Sequence, residues 1–486
     1  MKKYFFLLMG LVLLLSCRKE NAISTNPSHK LDFSVDTVLF DTVFTSLGSS
    51  THQLKVYNNH QEDLNITEIR LMGGEQSRFK MNLDGESGTV FHDKIIPAND
   101  SLYTFLNVTI DPSDLNTPFV VEDSILFVTN GNTQMVKLVA WGQNAHYIVA
   151  DRQITGFPKF TIVADSLETT HWTDDLPYVI YGYALINSYG TLHIHEGTRI
   201  HVHSGGGIWS WIDGQLIIDG TAEKPVVIQG DRLEPFFQNQ PGQWDRIWLM
   251  EARAGADHII NHAIIRNGFI GIQAESMVLY GLPSSHVTQA ALRIYNTVIE
   301  NHTGMGILSA LYGIEACNMV IDNCSQYAFA VTYGGDYLVR HSTIGNYWWS
   351  GPRTTPSLVL NNYLDQDGER YEFPLHFEMG NSIVYGVQEE ELSTALSGAE
   401  VDTTYLFDHC LMKTSRFSND DPGFSGCLFN EDPLFVDYRT FDMHLSDVLS
   451  PAVGYGSPVI AEEVPYDLEG RPRTGTPDLG AYQLMR

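Results

Sequence analysis

Four histidines lie within eleven positions in the stretch TLHIHEGTRIHVH, as the pairs His193/His195 and His201/His203. Imidazole nitrogen atoms bind transition metals and carry protons in catalysis. Within each pair the spacing of two residues puts both rings on one side of a β-strand. A corner at residues 196–198 turns the two pairs apart. We therefore predict solvated, outward-facing histidines and no metal site formed by all four.

An internal alignment supports this orientation. GTLHIHEGT aligns with GQLIIDGT further along the chain, and Leu192 matches Leu216 at an offset of 24 residues. Leucine at both positions indicates the buried side of the strands, so the alternating histidines point outward. The same alignment places His195 beside Asp219, which would allow a hydrogen bond between them.

Paired carboxylates are a second candidate for chemistry. Hydrolysis of a sugar polymer needs two carboxyl groups that face each other across the scissile bond. The adjacent pairs Asp174-Asp175 and Asp420-Asp421 would point to opposite faces of a strand. We interpret both pairs as turn residues.

Lyase chemistry needs calcium held by acidic groups and a basic residue that removes a proton. By residue type alone, Arg266, Arg293 and Arg340 are candidates for that base. For Arg266 we expect instead a surface charge pair with Glu300 and Asp322, which occupy equivalent positions of a repeat.

Motifs for a bound cofactor are weak. The chain has no glycine-rich phosphate loop and no Ser-His-Asp signature. The segment DQDGER (365–370) matches half of a calcium loop but lacks the remaining ligands. We predict no cofactor and no resident metal, with Ca²⁺ as the alternative.

Aromatic residues make up 11% of the chain. Exposed tryptophan rings can stack on the faces of sugars. Trp209 and Trp211 share one strand face, and Trp244 and Trp248 flank the tripeptide DRI. We predict these four residues as candidate glycan contacts. The alternative is that they pack under loops.

A repeated hexapeptide predicts the scaffold that positions these side chains. It occurs as HAIIRN, NTVIEN, NMVIDN, HSTIGN, NSIVYG and HCLMKT, with starts 22 to 40 residues apart. A period near 22 with insertions fits a parallel β-helix whose strands stack ~4.8 Å apart. The fourth position predicts a buried ladder and the sixth a ladder of hydrogen-bonded amides. The two ladders comprise Ile265, Ile299, Ile321 and Ile344, and Asn267, Asn301, Asn323 and Asn346.

The region before the repeats has a different rhythm. Residues 31–147 alternate apolar and polar positions in about seven runs separated by turn residues, including a hairpin signal at Asn130-Gly131. This pattern predicts an antiparallel β-sandwich, and the region resembles the immunoglobulin-like domains that precede other modules in bacterial surface proteins. We expect it to act as a spacer.

The first residues have the pattern of a secretion signal, with a basic start, an apolar run and then Leu-Leu-Ser-Cys ending at Cys17. This tetrapeptide resembles the lipobox of bacterial lipoproteins. The resemblance implies a signal peptide at 1–16, a lipid on Cys17 and a tether at 17–30. Arg18 fits transfer to the outer membrane of a diderm bacterium, at its cell-surface or periplasmic face.

The net charge of −29 disfavours nucleic acid as a partner. It also disfavours polyanionic sugars unless calcium bridges the like charges. Four cysteines follow Cys17, namely Cys317, Cys324, Cys410 and Cys427. Oxidising conditions outside the cytoplasm would permit disulfides, but the sequence does not choose among the three pairings.

Longer motifs carry a family resemblance. GTLHIHEGTRI, GQLIIDGTAEKPVVIQG and PGQWDRIWL resemble the right-handed parallel β-helix proteins of the pectin-lyase-like superfamily. The ending PDLGAYQ resembles the choice-of-anchor Q domain family, which implies a β-helix tied to the cell surface. We expect an all-β chain in which the β-helix spans 150–486 and residues from about 430 onward cap its last turn.

The superfamily fold includes lyases, hydrolases and adhesins, so it does not name a reaction. The missing order of catalytic motifs favours a lipid-anchored surface protein that displays a binding surface for glycans or another surface component, without catalysis. The alternatives are a polysaccharide lyase or glycosidase with an atypical site, and a structural spacer.

Overall fold

The computed structural model describes residues 22–44, 49, 51–110, 119–281, 292–398 and 401–484. Cys17 and the predicted signal peptide lie outside the described residues. The chain forms two compact units that divide between Asn144 and Ala145. None of the helices in the described part of the chain is long and apolar enough to cross a lipid bilayer.

The first unit consists of two five-stranded sheets around one core. Their orders are β1-β3-β8-β5-β6 and β2-β10-β9-β4-β7, with β2 and β10 parallel and the other pairs antiparallel. Leu54 and Ile66, on opposite sheets, pack in the same buried cluster, so alternate residues of both sheets form the core. The immunoglobulin-like character stays a prediction. The strands are β1 Asp32–Phe33, β2 Thr37–Phe44, β3 His52–Asn58, β4 Leu64–Leu71, β5 Phe79–Leu83, β6 Glu86–Ser87, β7 Val90–Ile96, β8 Asp100–Val108, β9 Phe119–Thr129 and β10 Asn132–Gln143, with a 3-10 turn at Gly74–Gln76.

The predicted hairpin at Asn130-Gly131 is present and joins β9 to β10. Both of its residues have positive φ, 49° and 76°.

Residues 22–30 belong to the predicted tether, but they pack against the sandwich. Ser24 N donates to Asp63 O at 2.8 Å, and Asn130 Nδ2 donates to His29 O at 3.1 Å. This part of the tether is therefore ordered on the sandwich, because its backbone groups find partners there.

The second unit is a coil of parallel strands, a β-helix-like fold. It begins with His146–Val149, which pairs in parallel with Tyr178–Tyr181, so the coil starts slightly before the predicted residue 150. Its strands are β11 His146–Val149, β12 Phe160–Ala164, β13 Thr169–Trp172, β14 Tyr178–Tyr181, β15 Tyr183–Ile186, β16 Thr191–His195, β17 Arg199–Val202, β18 Gly207–Ser210, β19 Gln215–Asp219, β20 Val226–Gly230, β21 Ile247–Met250, β22 His258–Asn261, β23 Ala263–Arg266, β24 Ile272–Glu275, β25 Leu292–Tyr295, β26 Val298–His302, β27 Ile307–Cys317, β28 Val320–Cys324, β29 Phe329–Arg340, β30 Thr343–Asn346, β31 Leu358–Asn361, β32 Tyr363–Gln366, β33 Glu369–Glu372, β34 Leu375–Gly380, β35 Ile383–Gly386, β36 Leu392–Ala395, β37 Thr403–Asp408, β38 Leu411–Met412, β39 Phe424–Ser425, β40 Leu428–Phe429, β41 Phe435–Asp437 and β42 Asp442–Leu445. Its helices are α1 Pro458–Glu463 and 3-10 turns at Pro235–Phe237, Met277–Tyr280 and Tyr438–Thr440.

Each turn of the coil contributes a strand to each of three faces. Face A contains β11, β14, β17, β20, β23, β26, β28, β30, β35, β38 and β40. Face B contains β12, β15, β18, β21, β24, the first halves of β27 and β29, β31 and β36. Face C contains β13, β16, β19, β22, β25, the second halves of β27 and β29, β34, β37 and β39. The right-handed sense of the coil stays a prediction.

The aliphatic ladder of the hexapeptides lies inside face A. Ile265, Ile299, Ile321 and Ile344 pair in register on successive turns, and all four are fully buried in the main core of the coil. Burial of one such side chain contributes roughly 1.5–3 kcal/mol. The fourth hexapeptide position, which is repeated on each turn, therefore stabilises the coil, whereas the insertions vary from turn to turn.

The first hexapeptide position has a role that the repeat pattern left unexplained. It is always Asn or His, and in all six copies its φ lies between 46° and 51°. Left-handed backbone is costly for most residues and least so for Gly, Asn, Asp and His. These residues therefore form the corner between faces C and A. They are His262, Asn296, Asn318, His341, Asn381 and His409.

The predicted amide ladder forms at the corner between faces A and B, over three of its four residues and two of its three steps. Asn301 Nδ2 donates to Asn267 Oδ1 at 2.7 Å, and Asn323 Nδ2 donates to Asn301 Oδ1 at 2.7 Å. Asn346 departs from the ladder, because its Oδ1 accepts from Cys324 N and its Nδ2 donates to Gln326 O.

The C-terminal segment, residues 430–484, runs along the outer side of face A instead of only closing its last turn. Met443 and Ala481 pack against Val320 of β28. Arg473 Nη2 donates to Asn318 Oδ1 at 2.7 Å, and Ala481 N donates to Thr343 Oγ1 at 3.0 Å. The cap of the last turn stays a prediction. The packing on face A explains why the third hexapeptide position is apolar, since the segment covers that position at Val320, Ile383 and Leu411.

Candidate functional site

The two histidine pairs lie on different faces of the coil, with His193 and His195 on face C and His201 and His203 on face A. His195 pairs in register with Asp219, as the alignment predicts. Its Nε2 atom, however, makes a 2.8 Å hydrogen bond with Nδ1 of His171, on the preceding turn. The sequence analysis did not single out His171 as a candidate.

His201 corrects the prediction of an outward, solvated pair on the second strand. Its side chain is buried, and its Nδ1 lies 3.3 Å from the carbonyl oxygen of Gly230. Burial lowers the pKa of His201 to about 4. His203 is more exposed, pairs with Asp231 at 2.7 Å and stacks on Tyr181.

The four candidate tryptophans separate into two environments. Trp209 stacks on Trp248 with ring centroids 5.0 Å apart and contacts Trp211 edge to face, within an apolar cluster on the outer side of face B. Trp244 lies in the main core, and its Nε1 donates to Arg266 O at 2.8 Å. Trp209 and Trp244 are each 2% exposed, so both pack instead of facing a ligand. A glycan contact stays a prediction for Trp211 and Trp248.

The acidic pairs lie in bends and turns, as expected. Asp174 accepts from Lys224 Nζ at 3.0 Å, Asp175 pairs with His146 Nε2 at 3.0 Å, and Asp421 accepts from Ser418 N at 2.8 Å. The carboxylates of Asp174, Asp175 and Asp421 thus each have a structural partner.

The half calcium loop, DQDGER, is the hairpin between β32 and β33. Asp367 and Gly368 form its turn with positive φ. Asp365 accepts two hydrogen bonds at 2.8 Å from Arg370, which lowers the pKa of that carboxyl group. The motif is explained by the turn and the ion pair.

Arg266, Glu300 and Asp322 lie beside one another on successive turns, as the repeat predicts. The prediction that they form charge pairs at the protein surface is wrong. Arg266 Nη1 is 3.9 Å from Glu300 Oε1, and its nearer partner is Gln229. Burial raises the pKa of Glu300 to about 7. Burial and the charge of Glu300 raise the pKa of Asp322 well above its usual range. The covering segment at residues 430–484 makes this environment.

A groove on the outer side of face C, next to the corner with face A, brings polar and aromatic groups together. Its floor comes from β22, β25, β27 and β29, and its wall from the end of α1 and the residues that follow. We call it the Tyr466 groove; its volume is about 430 Å³. It is lined by Asn261, Tyr295, Asn296, Glu315, Ala316, Cys317, Asn318, Leu338, Arg340, Glu463, Val464, Pro465 and Tyr466.

Ion pairs fix the planar polar groups of this groove. Glu315 accepts from Arg293 Nη1 at 3.1 Å and from the Tyr295 hydroxyl at 2.7 Å. On the next turn, Arg340 Nε donates to Glu463 at 3.0 Å, which ties the wall to the floor. Arg293 and Arg340, two of the three arginines proposed as bases by residue type, thus hold the carboxylates of the groove in place. Each arginine lies between two carboxylates.

The wall carries the most exposed ring of the groove. Tyr466 is 59% exposed, while its backbone oxygen accepts from Asn318 Nδ2 at 2.9 Å. The backbone is therefore fixed and the ring remains open to solvent. Burial raises the pKa of the Cys317 thiol to about 12, which keeps it protonated and a poor nucleophile at neutral pH.

A larger cavity of about 760 Å³ lies on the sandwich, along β5 and β8. Its most exposed aromatic ring is Phe105, which has no hydrogen-bonding group, and its charged residues are Glu75 and Lys80. The Tyr466 groove is smaller but contains more convergent, oriented polar groups. We therefore take it as the candidate functional site.

The four cysteines after Cys17 are free thiols. Cys410 and Cys427 nevertheless lie on neighbouring turns, where Leu428 N donates to Cys410 O at 2.8 Å. Burial keeps the pKa of the Cys410 thiol raised.

No protein-family model matches this chain. No curated protein matches it either. Among solved structures, it is similar to XylC in complex with xylose, with 9% identity, a TM-score of 0.35 and coverage of 92% of this chain and 89% of that chain. It is also similar to the catalytic domain of a family GH87 α-1,3-glucanase in complex with tetrasaccharides, with 13% identity, a TM-score of 0.19 and coverage of 78% and 87%.

A third likeness is to a family 123 glycoside hydrolase from Clostridium perfringens, with 10% identity and a TM-score of 0.17. It covers 23% of this chain and 26% of that chain, so the match spans about a quarter of the hydrolase. Likenesses at these scores leave the function to be argued from the site itself.

Proposed function

We propose that this protein binds neutral glycans in the Tyr466 groove without cleaving them. The observation that carries the proposal is the convergence in one open groove of the exposed Tyr466 ring, the Arg340–Glu463 ion pair and Glu315, which Arg293 fixes from outside the groove lining. A tyrosine ring can stack on the apolar face of a sugar, and its hydroxyl can bond to the sugar edge. Carboxylate, guanidinium and amide groups can bond to neighbouring sugar hydroxyls.

The charge of the groove favours a neutral ligand. Arg293 is held between Asp257 and Glu315, and Arg340 between Glu378 and Glu463. The carboxylates therefore outnumber the guanidinium groups around the groove, and the chain as a whole carries −29. A uronate polymer would meet this negative field without a compensating cation. In the same proposal, the lipid on Cys17 holds the protein at the outer membrane, and the coil displays the groove as a rigid surface.

Affinity electrophoresis of the full chain tests the proposal, in gels that contain a neutral glucan, xylan or galactomannan, or the uronate alginate. At least one neutral polymer should retard the protein, and Tyr466→Ala should weaken this binding by tenfold or more. The matched control is Tyr371→Ala, which removes a 47% exposed ring outside the groove. Equal melting temperatures would exclude a folding defect.

Three other outcomes would contradict the proposal. Retardation that Tyr466→Ala leaves unchanged would place the ligand elsewhere. Each polymer is also incubated with the protein in solution, with and without Ca²⁺. New reducing or unsaturated ends in these reactions would support the lyase or hydrolase alternative. The absence of retardation by every polymer would support the structural spacer.

A further inference from the structure

Three histidines converge on face C near the start of the coil. His171 of β13 pairs in register with His193 of β16, and His195 lies two residues further along the same strand. Their ring centroids are 4.1 to 5.5 Å apart. One nitrogen atom from each ring can be chosen so that all three lie within 4.8 Å of one another. Among the described residues, this is the only such cluster.

The rings are held by a rigid scaffold. Leu192 and Ile194 alternate with the two histidines of β16, and both are fully buried in the core. Trp172, next to His171, is also buried there. The backbone on both turns is thus fixed by burial, and only the outward rings can rotate. Sites built on strands hold their ligands more precisely than sites on loops.

One nitrogen atom of the cluster lacks a partner. Nε2 of His193 is buried, and no hydrogen-bond partner is present in the described part of the chain. A buried polar atom without a partner costs roughly 1–3 kcal/mol. His171 Nδ1 and His195 Nε2, by contrast, share one hydrogen bond at 2.8 Å. An ion bound between the rings would give the orphan nitrogen a partner and would replace that single bond with two coordination bonds.

We propose that His171, His193 and His195 form a binding site for a divalent transition metal ion, Zn²⁺ in particular. Tetrahedral Zn²⁺ binds histidine nitrogen at about 2.0–2.1 Å, which places two ligand nitrogens roughly 3.3 Å apart. Small rotations of the rings bring the three nitrogens to that spacing. Three imidazoles leave one coordination position open. Asp219 is in register with His195 on the following turn, and its carboxylate or a water would complete the tetrahedron.

The ligand set selects among ions. Imidazole nitrogen favours Zn²⁺, Cu²⁺ and Ni²⁺ over Ca²⁺ and Mg²⁺, which prefer oxygen. The net charge of −29 attracts cations to the protein but does not discriminate among them. This site is separate from the Tyr466 groove and does not depend on the proposed glycan binding.

Zinc titration of the full chain, purified without a histidine tag, tests the proposal by isothermal calorimetry. One Zn²⁺ ion should bind per chain with half-saturation at micromolar concentration or below, and Ca²⁺ should not compete. His171→Gln and His195→Gln should each weaken binding by tenfold or more. The matched control is His376→Gln, which changes a 40% exposed histidine further along face C and should leave binding unchanged.

Thermal unfolding gives a second readout that does not depend on the heat of binding. Zn²⁺ should raise the melting temperature of the unmodified chain, since a ligand that binds only the folded state stabilises it. It should not do so in His171→Gln. Half-saturation in the millimolar range, or equal Zn²⁺ affinity in His171→Gln and the unmodified chain, would overturn the proposal.

Discussion

Faces A and C of the coil are built from the same turns, yet their outer sides differ. On the later turns of face A, residues 430–484 cover outward side chains, and Val320 and Asp322 become as buried as the core. On face C, His193 and His195 of β16 and the outward side chains of β37 remain partly or fully exposed. Burial raises the pKa of the Asp322 carboxyl group well above its usual range, while Glu315 on face C is ion-paired with Arg293.

This difference teaches that the position of a residue in the repeat does not fix its environment. The third and fifth positions of the hexapeptide point outward on face A, as alternation requires. Whether they meet water depends on a segment that follows all six copies of the repeat. Where this segment packs, face A is a packing surface, while face C keeps outward side chains that are open to ligands.

The largest expected effect comes from placing a charge on each outer side. Val320→Asp introduces a carboxylate beneath Met443 and Ala481, two residues from the buried carboxyl group of Asp322. An uncompensated buried charge costs about 3–5 kcal/mol. Denaturant unfolding should show this loss. Leu406→Asp is the matched change on face C, where the residue is 37% exposed.

We expect Leu406→Asp to change the unfolding free energy by less than about 1 kcal/mol. Equal losses in the two variants would break the comparison, because they would mean that the outer side of face A is no more buried than that of face C.

A smaller effect is expected at the corner that borders face A. Asn301→Ala removes two hydrogen bonds of the amide ladder, to Asn267 and Asn323, and places alanine at a φ of 62°. The unpaired amides and the left-handed backbone together should cost about 2–4 kcal/mol.

Asn301→Gly separates these two contributions, since glycine adopts the left-handed conformation without strain. It should lose roughly 1 kcal/mol less than the alanine variant in the same unfolding experiment. If both variants unfold like the unmodified chain, the amide ladder does not stabilise the corner.

The third effect depends on pH. The raised pKa of Asp322 means that the folded state holds its proton where the unfolded state has released it. The stability associated with this group is thus present at low pH and is lost as pH rises above its ordinary pKa of 3.8. Asp322→Asn cannot ionise and escapes this loss.

The variant should therefore gain stability relative to the unmodified chain by up to about 1.4 kcal/mol for each pH unit between pH 4 and the raised pKa of Asp322. Unfolding free energies measured at pH 4, 5, 6 and 7 on both proteins give this difference directly. The buried histidines act equally in both proteins and cancel. A difference that does not vary with pH would show that Asp322 is solvated, as a surface residue of face C would be.

The candidate sites were only partly readable in the sequence. Arg293 and Arg340 stood out by residue type, but Glu463 and Tyr466 did not, since Glu463 reaches Arg340 across 123 positions. His171 was missed for a related reason, because its contact with His195 spans 24 positions and depends on the register of two turns. The alignment of later turns, extended one turn backward, would have placed His171 beside His193.

What the sequence determined by itself was the repeating part of the protein. Periodic aliphatic residues such as Ile299 and Ile321, and corner residues such as Asn296 and Asn318, act through near neighbours on adjacent turns, and that local physics leaves a periodic pattern. Only the tertiary structure decided which face of the coil has a buried outer side and which has an outer side exposed to solvent. That choice depends on where one non-repeating segment packs, and a single contact made once in the fold leaves no period in the sequence.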